Sequence, residues 1–207
     1  MAHRETLRKE TDGLIILIDN GHGIDTPGKR SPDGRFREYL WNREVAAYLL
    51  DILRDDGFDA RLVVPETNDV SLKTRATRVN RVVRDEGDCI LISIHADAAG
   101  DGSRWMEARG WSCYTSVGRT DADALATAMY ESFRTEFPGQ AFRTDWSDGD
   151  ADKEAGFYIL RKTKCPAVLL ENWFYDNRQD CEFLLREDTK EHVATAVYWG
   201  IRKYLAV

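Results

Sequence analysis

The 207-residue chain fits one ordinary domain, and 43% hydrophobic with 31% charged residues is the balance of a folded globular protein, not of a disordered or membrane-embedded one. No run approaches about 18 consecutive apolar residues, which excludes a transmembrane helix. A formal net charge of −7 argues against nucleic acid as a partner, because such binders need a basic face.

Residues 1–13, MAHRETLRKETDG, are polar and lack the apolar stretch of about 7–15 residues that a secretory signal requires. They are expected to be an N-terminal extension to a single domain over 14–207. LIILID (14–19) reads as a buried strand ending at an Asn-Gly pair. A helix follows through YLWNREVAAYLLDILRDDG, with Leu40, Val45, Tyr48, Leu49 and Ile52 near helical spacing and Gly57 as its stop. A short strand over 60–64 precedes a helix over 71–84 that sets Leu72, Ala76, Val79 and Val83 along one stripe. CILISIHAD (89–97) is the clearest strand. A further strand is expected over 110–116, a helix over 121–136, two late strands in AGFYILRKT (155–163) and PAVLLENW (166–173), and a last helix over 188–204.

This alternation predicts an α/β fold: one mixed, mostly parallel sheet with helices on both faces. Ligands gather at the carboxyl ends of strands in such sheets. Three apolar runs end in candidate chemistry there: IDNGH at His22, ISIH at His95 and AVLLE at Glu171. Parallel neighbours would bring all three to one edge. Each alone has a plainer account, as a loop histidine, a satisfied core histidine and a buried carboxylate paired with Arg143 or Arg161. Two histidines at equivalent strand ends suit a metal, which neutral imidazole binds without adding charge. A hydrolytic zinc site takes three protein ligands, and Glu38, Glu44, Asp19 and Asp97 all stand as the third. Asp19 and Asp97 also suit a role fixing a histidine tautomer, and Glu38 a helix start. Glu171 suits a general base.

Other chemistries fare worse. There is no Gly-x-Ser-x-Gly elbow, no GxxxxGK[ST] loop and no GxGxxG. Cys89, Cys113, Cys165 and Cys181 lie far apart without a C-x-x-C pair, so they read as reduced thiols, not as a zinc site or disulfide framework. His3, in the charged N-terminus, and His192, on the last helix, have no metal role.

From residue 15 to the last helix the chain resembles the zinc-dependent N-acetylmuramoyl-L-alanine amidases of the Amidase_3 type, found in bacterial cell-wall enzymes and phage endolysins. IDNGHG is similar to the first histidine motif, and EYLWNREVA to the glutamate-ligand helix start, with Glu38 and Asn42 four residues apart. SLKTRATRVN resembles the next helix, SIHAD the second histidine motif, and PAVLLENWFYDN the catalytic-glutamate strand with its trailing loop. Asn20 stands where proline is frequent and Ile24 where a second glycine is common. DNGHG followed by TPGKRSPDG is most similar to phage-derived or Bacteroidetes members.

The resemblance implies Zn2+ held by His22, Glu38 and His95, with Glu171 as the catalytic proton carrier. It also implies a fold of the zinc amidase (phosphorylase/hydrolase-like) kind over a catalytic domain of residues 14–207. The reaction implied is hydrolysis of the amide between N-acetylmuramic acid and L-alanine of the peptidoglycan stem peptide, at the cell wall. Segments 98–109 and 138–156 are candidate groove walls, with Trp105, Trp111, Trp146 and Trp173 as possible glycan platforms. Arg75 suits a structural ion pair better than a substrate contact. A catalytically silent wall-binding module and a zinc peptidase cutting within the stem peptide are the competing functions.

Overall fold

The computed structural model describes residues 13–206, so the expected extension over 1–13, with His3, lies outside the described residues apart from Gly13. The first strand, β1 (Ile15–Asn20), is buried along its whole length. The order continues as α1 (Glu38–Asp55), β2 (Asp59–Leu62), α2 (Leu72–Asp85), β3 (Cys89–Asp97), β4 (Ser112–Thr115), α3 (Ala122–Glu136), β5 (Lys153–Glu154), α4 (Tyr158–Lys162), β6 (Ala167–Phe174), α5 (Arg178–Leu184) and α6 (Thr189–Tyr204).

These strands form one six-stranded sheet in the order β2-β1-β3-β6-β4-β5. β2, β1, β3 and β6 run parallel, while β4 pairs antiparallel with β6 and parallel with β5. The mixed, mostly parallel α/β sheet expected from the sequence is the one observed. Alternate strand residues serve opposite faces. Ile16, Ile18, Ile90, Ile92, Val168 and Leu170 pack beneath α1, α3 and α6, and Ile15, Leu17, Cys89, Leu91, Ala167 and Leu169 beneath α2 and α4. Each such side chain taken fully from water contributes about 1.5–3 kcal/mol.

Helical stripes sit slightly away from where spacing put them. On α1 the buried row is Trp41, Val45, Leu49 and Leu53, a regular i+4 ridge, and Leu40 and Tyr48 are exposed. On α2, Ala76 and Val79 are buried while Leu72 is exposed. The segment 155–163, expected as a strand, forms the short helix α4 instead. Its buried residues Ile159 and Leu160 are consecutive. They pack on one side of the sheet, which a two-residue strand period cannot provide. Helix α5 was not foreseen, although its signal was present: Asn177 caps it by accepting from the backbone N–H of Gln179 and Asp180.

Candidate metal centre

β3 and β6 are neighbours in register, with His95 directly opposite Glu171. His95 shares the face of Cys89 and Leu91, and Glu171 that of Ala167 and Leu169. Both therefore project on the α2/α4 side of the sheet, at the strand ends. β1 runs beside β3 up to the Asn20–Ile94 pair, and Gly21 N–H then donates to Ile94 O at 3.1 Å. His22 follows and stands edge-on to His95, with ring centroids 5.1 Å apart.

The glycines on either side of His22 make room for other parts of the chain. A Cβ on Gly21 would overlap the His95 imidazole, and one on Gly23 would overlap the Asn68–Asp69 backbone. The left-handed turn is made by His22 itself, at φ 64°. That is an uncommon conformation for a residue with a Cβ. It is held by hydrogen bonds to neighbouring carbonyls: Asn42 Nδ2 donates to Gly21 O at 3.2 Å, Arg43 to His22 O at 2.8 Å and Arg75 to Asn20 O at 2.9 Å.

Glu38 opens α1 and comes up beneath both rings. Its Oε1 lies 3.3 Å from His22 Nε2 and 3.1 Å from His95 Nδ1, although the side chain is only 1% exposed. Ligand atoms of His22, Glu38 and His95 all lie within 4.8 Å of one another, close enough to hold one metal ion. Burial raises the Glu38 pKa, but hydrogen bonds and charge from His22 and His95 more than offset it, leaving the carboxyl well below its ordinary range. Glu38 Oε2 has no hydrogen-bond partner. Two imidazoles and one buried ionised carboxylate with an orphaned oxygen are a donor set that fits zinc.

The other candidates for third ligand are engaged elsewhere. Asp19 accepts from Arg75 Nη1 at 2.6 Å and from Ser93 Oγ at 2.7 Å, and touches neither histidine. Arg75 is thus a buried structural cation, bonded also to Asp69. Glu44 pairs with Lys190 at 2.6 Å on the α6 side. Asp97 accepts from Ala98 N–H and is pushed up to about 6, chiefly by burial.

Glu171 has no ion-pair partner among the described residues. Arg161 Nε donates to Gly156 O, and the Arg143 guanidinium lies 4.9 Å over the Phe174 ring. Burial, then the charges of Asp97 and Glu38, push the Glu171 pKa well above the ordinary value, with Lys29 opposing. Its Oε2 is inaccessible and unpartnered. Glu171, Glu38, His95, Asp97, Lys29 and Tyr175 line a cavity of about 300 Å³. Glu38 and His95 of the metal group and an unpaired, proton-attracting carboxyl therefore share one pocket.

A family model described as N-acetylmuramoyl-L-alanine amidase (Amidase_3) matches residues 16–203. The chain belongs to this amidase family. It is 29% identical over 171 residues to the sporulation-specific N-acetylmuramoyl-L-alanine amidase of Bacillus subtilis, covering 82% of this chain and 59% of that protein. Among solved structures, the catalytic domain of CwlV, an N-acetylmuramoyl-L-alanine amidase from Bacillus (Paenibacillus) polymyxa var. colistinus, is 26% identical with a TM-score of 0.77. The match covers 93% of this chain and 98% of that one. An N-acetylmuramoyl-L-alanine amidase from Clostridium difficile 630 is 26% identical with a TM-score of 0.79, over 94% of this chain and 98% of that one.

Around the centre, this amidase-family chain uses polar residues that sequence reasoning passed over. Buried Asp176 accepts from Ala99 and Gly100 N–H at 3.1 and 2.8 Å, fixing the loop after β3 that lines the cavity. Asn172 Nδ2 donates to His95 O at 2.8 Å and accepts at Oδ1 from the Trp111 indole. Both follow Glu171 within YDN and ENW, and the signal was a run of polar residues inside an apolar strand end. Of the tryptophans expected as platforms, Trp111 stacks on Phe133 and Trp173 packs on Phe183, both fully buried. Trp105 lies under the Arg178 guanidinium, and Trp146, 58% exposed, is the open one. Ala98, Gly100 and Asp101 wall the cavity, whereas no residue of 138–156 does so.

Proposed function

We propose that this chain is a zinc-dependent amidase that hydrolyses the bond between the lactyl carbonyl of N-acetylmuramic acid and L-alanine of the stem peptide. The observation that carries this reading is the register of His95 against Glu171, which sets a carboxyl without an ion-pair partner beside the His22–Glu38–His95 group. His22, Glu38 and His95 would hold the metal. A zinc ion there supplies Lewis acidity and a water acidified towards neutrality.

The remaining work falls to the chain's own groups. Glu171 takes a proton from the attacking water at its carboxylate and delivers it to the leaving alanine nitrogen, since a carboxyl whose burial favours the neutral form holds a proton readily. Asn42, Arg43 and Arg75 keep the His22 turn in place, and Asn172 does the same for the β3 end. Residues 14–207 would then be the catalytic domain, acting on the cell wall. Among the described residues, no helix is long and apolar enough to cross a membrane.

Digestion of purified peptidoglycan, with analysis of the new ends, tests the proposal. Free muramic lactyl groups together with new alanine N-termini are expected. New ends inside the peptide would point to a peptidase instead, and no release to a binding module. Elemental analysis before and after chelation, with one zinc lost along with activity, is expected in parallel.

A further inference from the structure

We infer that Lys29 is a further catalytic residue, whose ammonium stabilises the negative charge that develops on the scissile carbonyl oxygen; the inference rests on the amidase reading above. Lys29 enters the cavity on a constrained loop. Gly28 and Lys29 both adopt left-handed backbone, at φ 72° and 49°, a conformation disfavoured for a residue with a Cβ. Two contacts hold it. Lys29 O accepts from Glu38 N–H at 3.0 Å, and the Arg30–Arg37 bridge closes the loop just beyond. The helix start that delivers Glu38 thereby fixes Lys29 as well.

Within the cavity Lys29 is the one cationic side chain among the described lining residues, beside four carboxyl groups: Glu38, Asp97, Asp101 and Glu171. Its Nζ lies 3.9 Å from Glu38 Oε2, too long for a hydrogen bond. The side chain is 42% exposed, so this pairing is loose. Lys29 also acts on Glu171, opposing the burial that favours its neutral form. With Glu38 committed to a metal, the ammonium is left to face the substrate.

The chemistry of amide cleavage creates the need for such a charge. The water oxygen bonds to the carbonyl carbon, its proton goes to Glu171, and the carbonyl π pair moves onto oxygen. As that pair returns, the C–N bond breaks and Glu171 hands its proton to nitrogen. Lys29 stays protonated throughout and interacts most strongly when oxygen is anionic. A fixed donor aimed at charge present only in the transition state lowers the barrier without tightening substrate binding.

The test compares zinc-loaded wild type with Lys29→Ala and Lys29→Arg on a soluble muramoyl pentapeptide. It is joined by calorimetric binding of a phosphinate analogue, tetrahedral and anionic at the scissile position, and of the peptide product. Zinc content and melting midpoint are followed to show that each variant is folded and loaded. Lys29→Ala is expected to lose on the order of 10²-fold in kcat, the scale for removing one oxyanion donor, at little-changed KM. Phosphinate affinity should fall by a similar factor while product affinity holds, and Lys29→Arg should retain most of both. A raised KM at unchanged kcat would overturn the inference, making Lys29 a binder of a substrate carboxylate. Equal loss of phosphinate and product affinity would overturn it too. Wild type that releases no alanine N-termini brings down the amidase reading itself, whereas an active wild type matched by Lys29→Ala brings down Lys29 alone.

Discussion

At the scale of single residues, the centre is built from groups that cannot be satisfied by protein alone. Glu38 meets both histidines through one oxygen and leaves the other unpartnered, and Glu171, lining the same cavity, also leaves an oxygen unpartnered. Replacing Glu171 with Gln keeps the shape and removes the proposed proton carrier, so turnover on peptidoglycan should be abolished while zinc measured by elemental analysis is retained. Full activity in that variant would sink the assignment. Gly21 is the other sensitive position. Its replacement by Ala drives a methyl into the His95 ring, and misplacing one ligand should weaken zinc binding by about 10–100-fold, the range for lost ligand orientation. Competition with a chelator reads this directly, and unchanged affinity would mean that the ring can shift without cost. Residue reasoning on sequence found His22, His95 and Glu171 because a polar group ending an apolar strand needs a reason. Lys29 gave no such signal, since a lysine in a polar loop looks solvated until the loop is folded over the cavity.

At the scale of elements, the end of β1 and helix α2 are tied by a buried cation. Arg75, on α2, bonds Asp19 on β1 and the carbonyls of Asn20 and Val70, and both charged side chains are nearly inaccessible. Removing one partner of such a pair leaves the other buried and uncompensated. Arg75→Met should therefore cost about 3–5 kcal/mol by urea unfolding, and Asp19→Asn added to it should recover part of the loss. A loss under a few tenths of a kcal/mol would mean that water reaches Asp19. Most elements were legible, because long apolar runs and i+4 ridges report their own period. The segment 155–163 was not. Its aromatic and β-branched residues favour a strand locally, yet Ile159 and Leu160 must both face α2 and the sheet, which a helical turn permits. Helix α5 is short enough that its Asn177 cap, not its apolar content, was the available clue.

At the scale of the molecule, the sheet has two ends with different electrostatics. The candidate metal centre occupies one, and Asp152 sits on the far edge, where β5 joins β4. Asp152 is 4% exposed and accepts from Thr115 Oγ1 at 2.6 Å. Burial, then the neighbouring Asp150 carboxyl, raise its pKa from 3.8 to about 7. The folded protein thus keeps a proton that the unfolded chain releases above about pH 4. The stability this provides is complete below that point and is lost as pH rises through about 7. Asp152→Asn cannot titrate, so urea midpoints of wild type should fall relative to the variant across that window. Parallel curves would show that Asp152 is solvated.

By itself the sequence determines the α/β class, the order of most elements and the presence of two histidines and a glutamate at strand ends, since burial periods and the cost of buried polar groups are local. Its resemblance to an amidase family singled out Glu38. Only the tertiary structure decides that Glu38, and not Asp19, Asp97 or Glu44, lies beneath both rings, that Gly21 and Gly23 make room for other parts of the chain, and that Lys29 faces the same cavity. These are relations between residues far apart in the chain, and they are set by strand register and helix packing.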